Sequence, residues 1–287
     1  MIKIILTLAL AVCAPVHAAP PDTARSKSDA VNDQGIVSAK SADKARALKR
    51  FKSAVKLDPS NEAARYNLAR ALWMLGRNAE AEPQAREAAR LDPRNPKPLL
   101  LRASILKSLD RFEEGLDAVD QALELDPGSR EAVYLAANMN YCLSRFEAAE
   151  GLLGPPEAKY GVDFAHLRAA NLLDEWKGPE ALAAAELALR LDDSPLSHCM
   201  RADALGLVGR NDEAIAEATP LIGGEEEADA RYVLANAARD KGDKAEALRQ
   251  YLMASALYAQ KHKGRRWCAI NLVTKIGAEV GRLSSAH

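Results

Sequence analysis

The sequence predicts an all-α protein made of stacked helix pairs, and two observations carry this prediction. The tripeptide Leu-Asp-Pro begins at Leu57, Leu91 and Leu125, at intervals of 91 − 57 = 34 and 125 − 91 = 34 residues. A fixed period of this length indicates structural units that each pack only on their neighbours. Aromatic residues make up only 5% of the chain. Alanine is abundant throughout, which favours closely packed helices over a β-rich core.

The first residues have the pattern of a secretory signal peptide. Lys3 supplies a positive charge, residues 4–12 form a short apolar run, and Val16-His17-Ala18 has the small residues that precede a cleavage site. We therefore predict a signal peptide over residues 1–18, cleavage after Ala18, and a periplasmic or secreted mature protein. No later stretch approaches the roughly 20 apolar residues that a transmembrane helix needs, so no membrane span is expected in the mature chain.

An alternative processing route involves Cys13. It follows Leu10-Ala11-Val12, which loosely resembles the lipobox of bacterial lipoproteins, although Val12 departs from the usual small residue before the cysteine. Lipidation there would make the protein an outer-membrane lipoprotein. After cleavage at Ala18 three cysteines remain, and this odd number argues against a disulfide framework. They are Cys142, Cys199 and Cys268.

Residues 19–42 mix Pro, Ser, Asp and small residues without a sustained apolar face, and their beginning, residues 19–27, is predicted to be a flexible leader. From residue 28 onwards each unit is expected to contain a helix, a tight turn, a second helix and a stop. Proline cannot continue a helix and pushes the preceding residue out of the α region. The second helices should therefore end at Asp58, Asp92 and Asp126, and the leucine before each of them should make the last inward contact.

The turns and starts of the units carry their own signals. Glycines that can adopt the left-handed conformation are expected to close the first helices, at Gly76, Gly209 and Gly242. An alanine that follows each turn should mark a close approach of the two helices, at Ala81, Ala214 and Ala247. Capping side chains are expected where a new unit begins, at Asn95, Ser129 and Ser194.

Gly154-Pro155-Pro156 must shorten the second helix of the fourth unit, which predicts a break over residues 154–161. The array is thereby divided into residues 28–153 and 162–261. Leu191 lies 191 − 125 = 66 residues after Leu125, two short of two periods, so the frame slips across the break. Residues 262–283 are predicted to form a final amphipathic helix that covers the end of the stack.

This pattern resembles the tetratricopeptide repeat family, which has about 34 residues per unit and small residues at helix contacts. The seventh unit matches best, because Leu234-Ala235, Gly242, Ala247, Tyr251 and Ala254 fall at the family's positions. The resemblance implies a right-handed superhelical solenoid of antiparallel helix pairs with a C-terminal capping helix. With the signal peptide, it indicates an exported bacterial member. The seven predicted units are 28–61, 62–95, 96–129, 130–161, 162–194, 195–227 and 228–261.

The resemblance also implies a binding surface, because the first helices of such units line a concave groove that receives a peptide or a partner's helix. The candidate residues follow i, i+4, i+7 stripes of the first helices, and tyrosine, tryptophan and arginine suit recognition. The other interpretation is that the aromatic side chains fill gaps between helices. His166 and Ala170 make the fifth unit a poorer site. The candidates are Tyr66, Asn67, Arg70, Trp73, Ser104, Lys107, Tyr134, Asn138, Tyr141, Tyr232, Asn236 and Arg239.

Catalytic, metal-binding and nucleic-acid-binding patterns are absent from the sequence. His198 and Cys199 are adjacent, but neighbouring residues on a helix point about 100° apart and do not face each other. His166 has no second histidine or cysteine at helical spacing. A net charge of −1 gives no electrostatic case for a nucleic-acid binder. The expected protein is not an enzyme and needs no cofactor or metal.

The sequence thus predicts a non-catalytic scaffold that binds protein partners of the cell envelope. A first alternative is a lipid-anchored assembly factor of a secretion or pilus machine, tethered through Cys13. A second alternative is an enzyme hidden in a degenerate repeat.

Overall fold

The computed structural model describes residues 23–154, 161–261 and 268–285. The predicted signal peptide, its cleavage site, Cys13 and residues 19–22 of the predicted leader lie outside the described residues. The described residues form fifteen α-helices and contain no β-strand. The helices are α1 Thr23–Lys40, α2 Lys44–Leu57, α3 Glu62–Met74, α4 Asn78–Leu91, α5 Pro96–Ser108, α6 Phe112–Leu125, α7 Arg130–Cys142, α8 Phe146–Leu153, α9 Val162–Asp174, α10 Gly178–Leu191, α11 Pro195–Leu207, α12 Asn211–Ala218, α13 Glu227–Asp240, α14 Lys244–Lys261 and α15 Cys268–Ser284.

The first fourteen helices form seven successive hairpins, from α1 with α2 to α13 with α14. Each second helix also packs on the first helix of the next hairpin, and the first helices of neighbouring hairpins contact one another directly. The core is accordingly a series of local clusters in which alanine is the most frequent buried residue. The predicted all-α helical solenoid is confirmed.

The predicted helix starts are confirmed. The side chains of Asn95, Ser129 and Ser194 each accept a hydrogen bond from a backbone N–H in the first turn of the following helix. Asn61 does the same for α3. These bonds satisfy amide groups that have no partner within the helix.

The predicted stops are also confirmed, because Asp58, Asp92 and Asp126 cap α2, α4 and α6 outside the helical conformation. The expectation that the preceding leucines pack inward is wrong. Leu57 and Leu125 are 42% and 41% exposed. The last fully buried residue of each helix is instead an alanine three residues earlier, at positions 54, 88 and 122. The leucine lies at the C-terminal end of its helix, beyond these buried alanines.

A left-handed residue closes the first helix of every described hairpin. Gly76, Gly209 and Gly242 have the predicted positive φ, at 72°, 78° and 83°. The alanines expected to mark close helix approach, Ala81, Ala214 and Ala247, have no exposed surface. Four hairpins use a side-chain-bearing residue at the left-handed position, which the sequence did not signal. These are Ala42 with φ 59°, Asp110 with φ 60°, Ser144 with φ 58° and Trp176 with φ 61°.

The N-terminal hairpin begins earlier than predicted. Helix α1 starts at Thr23, so residues 23–27 of the predicted flexible leader are helical. Long-range contacts explain the difference, because the Arg25 guanidinium binds Glu62 and the Ser28 hydroxyl donates to the Ala54 carbonyl. Asn61 in turn donates to the Ser28 hydroxyl oxygen. Helix α1 is therefore held by α2 and by the start of the second hairpin, which local composition does not reveal.

Two second helices are short. Helix α8 has eight residues and ends at Leu153, where Gly154 has φ 57°; residues 155–160 of the predicted break lie outside the described residues. Helix α12 also has eight residues and continues into a 3₁₀-helix over Thr219–Leu221. Pro220 stands in that segment and cannot continue an α-helical hydrogen-bond ladder. This second shortening was not predicted from the sequence.

Helix α15 packs on the final hairpin. Ile276 is buried, and Val280 and Leu283 pack against the same cluster as Tyr251 and Tyr258. Residues 262–267 of the predicted capping segment 262–283 lie outside the described residues. In the part of the chain that the structure describes, no helix has both the length and the apolar character needed to span a membrane.

Candidate functional site

Helix α3 connects three successive first helices through polar side chains. The Asn67 side-chain amide donates to the side-chain oxygen Oδ1 of Asn32 in α1 at 2.9 Å. The Trp73 indole N–H donates to the Ser108 hydroxyl oxygen at the end of α5, at 3.2 Å. Tyr66 and Trp73 also pack partly against the apolar cluster of this region. The predicted stripe thus lies where α1, α3 and α5 meet, with part of each side chain used for packing.

Arg70 is the exception on this helix. It is exposed and lines a hollow of about 350 Å³ between α1 and α3, together with Lys40, Asn67 and Met74. Among the described residues, Arg70 has no hydrogen-bond or salt-bridge partner. A second hollow, of about 190 Å³, lies between the starts of α3 and α5 and is lined by Tyr66. We call these two hollows and their lining the N-terminal inner face.

The next two first helices contribute unequally. On α5, Ser104 is buried and Lys107 is half-buried, so little of Ser104 is available to a partner. On α7, the Tyr134 ring lies 5.4 Å from the Phe164 ring, and the Tyr141 hydroxyl donates to Asp174 at 2.9 Å. These contacts favour the gap-filling interpretation for the two tyrosines.

Asn138 lies between them on α7. It is half-buried. Within the described ranges it has no hydrogen-bond partner, so its amide is available to a peptide backbone. Asn138 is therefore the α7 candidate best suited to binding.

The candidate binding residues of α13 contact other residues of the protein itself. Tyr232 is buried with its ring 6.0 Å from that of Tyr251, and burial raises the pKa of the Tyr232 hydroxyl. Asn236 accepts a hydrogen bond from the Tyr251 hydroxyl at 2.6 Å. Arg239 pairs with Asp240 at 2.8 Å and reaches Glu279 of α15 at 3.4 Å. This stripe stabilises the last hairpin and α15.

A cavity of about 220 Å³ lies among α9, α11 and α13, and we call it the C-terminal cavity. Most of its polar lining was not predicted from the sequence. Asp174, Asp203 and Asp229 come from three successive first helices, Trp176 comes from a turn, and Lys275 comes from α15. The Lys275 ammonium lies 2.6 Å from the Asp174 carboxylate. The lining also includes Tyr141, Ala170, Cys199, Tyr232 and Asn236.

Asp203 has the most perturbed carboxyl group of the cavity. Its pKa is raised to about 7, mainly by burial; the Lys275 ammonium opposes this shift, and the nearby carboxylates of Asp174 and Asp229 add to it. The signal that could have drawn attention to this region is Trp176, which stands where three other hairpins have glycine. Lys275 carries no repeat signal because α15 follows the last unit.

The family follows from the sequence itself. A family model described as tetratricopeptide repeat matches residues 32–96, 100–154 and 199–261, which is more than half of the chain. The chain belongs to the tetratricopeptide repeat family. Residues 162–194, outside the matched ranges, still form the hairpin α9 and α10. Tetratricopeptide repeats are generally non-catalytic scaffolds for protein interactions.

Solved structures show the same fold. A tetratricopeptide repeat protein from Parabacteroides merdae is 16% identical, with a TM-score of 0.67 over 89% of this chain and 99% of that one. PilW, a type IV pilus biogenesis factor, is 18% identical, with a TM-score of 0.62 over 70% of this chain and 96% of its own. MamA from Desulfovibrio magneticus is 18% identical, with a TM-score of 0.51 over 56% of this chain and 94% of its own. At these identities the similarity concerns the fold alone. No curated protein is significantly similar in sequence.

The two histidines of the central tetratricopeptide repeats are engaged by neighbouring side chains. The His198 imidazole lies 2.7 Å from Asp193 and also bonds to Glu217, and these carboxylates raise its pKa. His166 lies 2.8 Å from the Ser197 hydroxyl, and burial lowers its pKa. In the described part of the chain no group of three or more His, Cys, Asp or Glu residues is placed to hold a metal ion.

Proposed function

We propose that this tetratricopeptide repeat protein is a non-catalytic scaffold that binds a segment of a protein partner on the N-terminal inner face. The observation that carries the proposal is Arg70. Its charged guanidinium is exposed beside a hollow of about 350 Å³ and has no partner among the described residues. Arginine in this setting suits a carboxylate or a peptide carbonyl, because its planar group donates several hydrogen bonds in a fixed geometry.

Other candidate side chains of the first helices, on this face and on α7, offer further polar and aromatic contacts. Asn138 offers an amide on α7, and Tyr66 lines the second hollow beside α3. Asn67 is held by Asn32, which keeps the wall of the first hollow in place. An extended or helical segment that carries an acidic side chain fits this arrangement. The opposite end of the array is less suited, because Tyr232, Asn236 and Arg239 are engaged within the last hairpin and with α15.

Photocrosslinking tests the location of binding. A benzoylphenylalanine at Met74, which is 57% exposed and lines the Arg70 hollow, is expected to form covalent adducts with a partner in the producing cell. The matched control is the same substitution at Leu252, which is 52% exposed on the second helix α14. Adducts from position 74 alone support the proposal. Equal adducts from both positions, or none from position 74, contradict it.

We further propose that the protein acts in the periplasm or outside the cell, with partners in the cell envelope. This proposal rests on the pattern of residues 1–18. Mass spectrometry of the mature N-terminus is expected to find Ala19. A lipidated Cys13 would instead favour the alternative of a lipid-anchored assembly factor. The similarity to PilW does not choose between the two, since it concerns the fold.

A further inference from the structure

The C-terminal cavity combines negative charge with aromatic walls. Carboxylates from Asp174, Asp203 and Asp229 face a space of about 220 Å³, and Lys275 supplies the single cation among the described lining residues. One ammonium therefore faces three carboxyl groups and pairs with Asp174, while Asp229 accepts a hydrogen bond from the Tyr258 hydroxyl. Burial is the main reason why the pKa of Asp203 is raised to about 7; Lys275 opposes the shift, and the other two carboxyl groups add to it.

Lys275 shows how an ammonium group is held there. Its Nζ lies 2.6 Å from Asp174 Oδ1 and 5.7 Å from the centre of the Trp176 ring. The other oxygen of Asp174 accepts a hydrogen bond from the Tyr141 hydroxyl at 2.9 Å, which orients the carboxylate. A carboxylate and the face of an indole together are a suitable environment for an alkylammonium ion.

Trp176 adds an independent observation. It is 60% exposed and has φ 61°, a conformation that is unfavourable for a bulky residue. Glycine occupies the same turn position in three other hairpins. Ala42, Asp110 and Ser144 occupy it in the remaining three, so the conformation itself is not peculiar to this turn. What Trp176 adds is an indole in the lining of the cavity, which none of these residues would supply.

A metal ion fits this lining less well than an organic cation. The three carboxylates are not among any group placed to hold a metal ion in the described residues. They are distributed around a space that is also lined by Leu196, Met200 and Leu207. Separated carboxylates with apolar surface between them match an ammonium group at the end of an aliphatic chain.

We propose that the C-terminal cavity is a binding site for a primary alkylammonium group, carried by a lysine of a protein segment or by a free alkylamine. In the absence of that ligand, the Lys275 ammonium of α15 occupies this position beside Asp174 and Trp176. The site goes beyond the proposed function, since it lies on other repeats than Arg70 and accepts a ligand of opposite charge. A negative result at the C-terminal cavity would not count against the proposed binding at the N-terminal inner face.

The test uses the full chain and n-butylammonium as the probe, with binding measured by calorimetry. Lys275→Ala removes the internal ammonium, so the variant is expected to bind the probe about tenfold or more tightly than wild type does. Adding Asp174→Asn to that variant should abolish the gain in affinity for n-butylammonium. The matched control is Arg282→Ala on α15, whose partner Glu279 lies outside the cavity lining, and it should bind as wild type does.

Two further ligands show whether binding depends on the charge of the amine and whether the site prefers a protein lysine or a free amine. The isosteric 1-butanol should not bind Lys275→Ala; equal binding of alcohol and amine would overturn the proposal, as would equal affinity of wild type and variant for the amine.

A blocked Val-Thr-Lys-Ile-Gly peptide, the sequence of residues 273–277, is compared with n-butylammonium. Tighter binding of the peptide assigns the site to protein lysines, and weaker binding assigns it to free amines. If Lys275→Ala unfolds α15, Asp203→Asn in the wild-type chain is expected to abolish amine binding, and unchanged binding would overturn the proposal.

Discussion

Replacing Tyr251 by alanine is expected to destabilise the C-terminal hairpin by about 3–5 kcal/mol, the usual cost of removing a buried aromatic side chain. Tyr251 has no exposed surface and is the largest fully buried side chain among the described residues. Its ring packs in the cluster that joins α13, α14 and α15, and its hydroxyl donates to Asn236. The substitution therefore removes both apolar contacts and a buried hydrogen bond.

The location of the effect is as informative as its size. In an array whose units contact only their neighbours, stability is close to a sum of local terms. Hydrogen exchange should accelerate over residues 227–261 and 268–284 and remain unchanged over α2 to α6. Tyr251→Phe is the matched control; it keeps the ring, loses the bond to Asn236, and should cost only about 1 kcal/mol. Uniform acceleration along the chain would show that the array unfolds as one cooperative unit.

The regular part of the fold was predictable because it depends on local chemistry. Proline in Leu-Asp-Pro disfavours helix continuation through its own ring and its missing N–H, and Gly76 or Gly209 can close a turn without help from other residues. The left-handed Asp110 and Ser144 carry no such signal, since the neighbouring structure holds them in that conformation. The inward packing predicted for Leu57 was wrong because its exposure depends on how much of α2 the next hairpin covers.

The candidate site was less predictable because it depends on which partners the folded chain brings to each side chain. A stripe at helical spacing places Tyr134 and Tyr141 on one face of α7, but their contacts with Phe164 and Asp174 come from the following hairpin. The pairing of Lys275 with Asp174 joins residues 101 positions apart. Such a contact follows from the stacking of three hairpins and is invisible to a repeat pattern.

The two ends of the array consequently present different surfaces. Among the described residues, Arg70 of the N-terminal inner face has no partner, whereas the candidate residues of the last hairpin are engaged by Tyr251 and by α15. This contrast is the reason for proposing that a partner binds at the N-terminal end. Arg70 and Asn138 are two candidates without a hydrogen-bond or salt-bridge partner among the described residues, and their joint replacement is the corresponding test.

Arg70→Ala combined with Asn138→Ala is expected to weaken partner binding by about 2–4 kcal/mol, on the order of a hundredfold in affinity. Both side chains are polar and, within the described residues, unpaired, so each loses contacts with a partner rather than within the protein. Alanine is a good helix former, so the fold should persist. The probe is a peptide selected from a random library for binding to wild type. Arg86→Ala, an exposed arginine on the second helix α4, is the control.

The direct measurement is the affinity of this double variant for the selected peptide, with its melting temperature recorded beside those of wild type and Arg86→Ala. The predicted result is a large loss of affinity in the double variant alone, with all three melting temperatures close together. An unchanged affinity would contradict binding at the N-terminal inner face. A loss of affinity accompanied by a large fall in melting temperature would contradict it as well, because Arg70 and Asn138 would then stabilise the fold instead of recognising a partner.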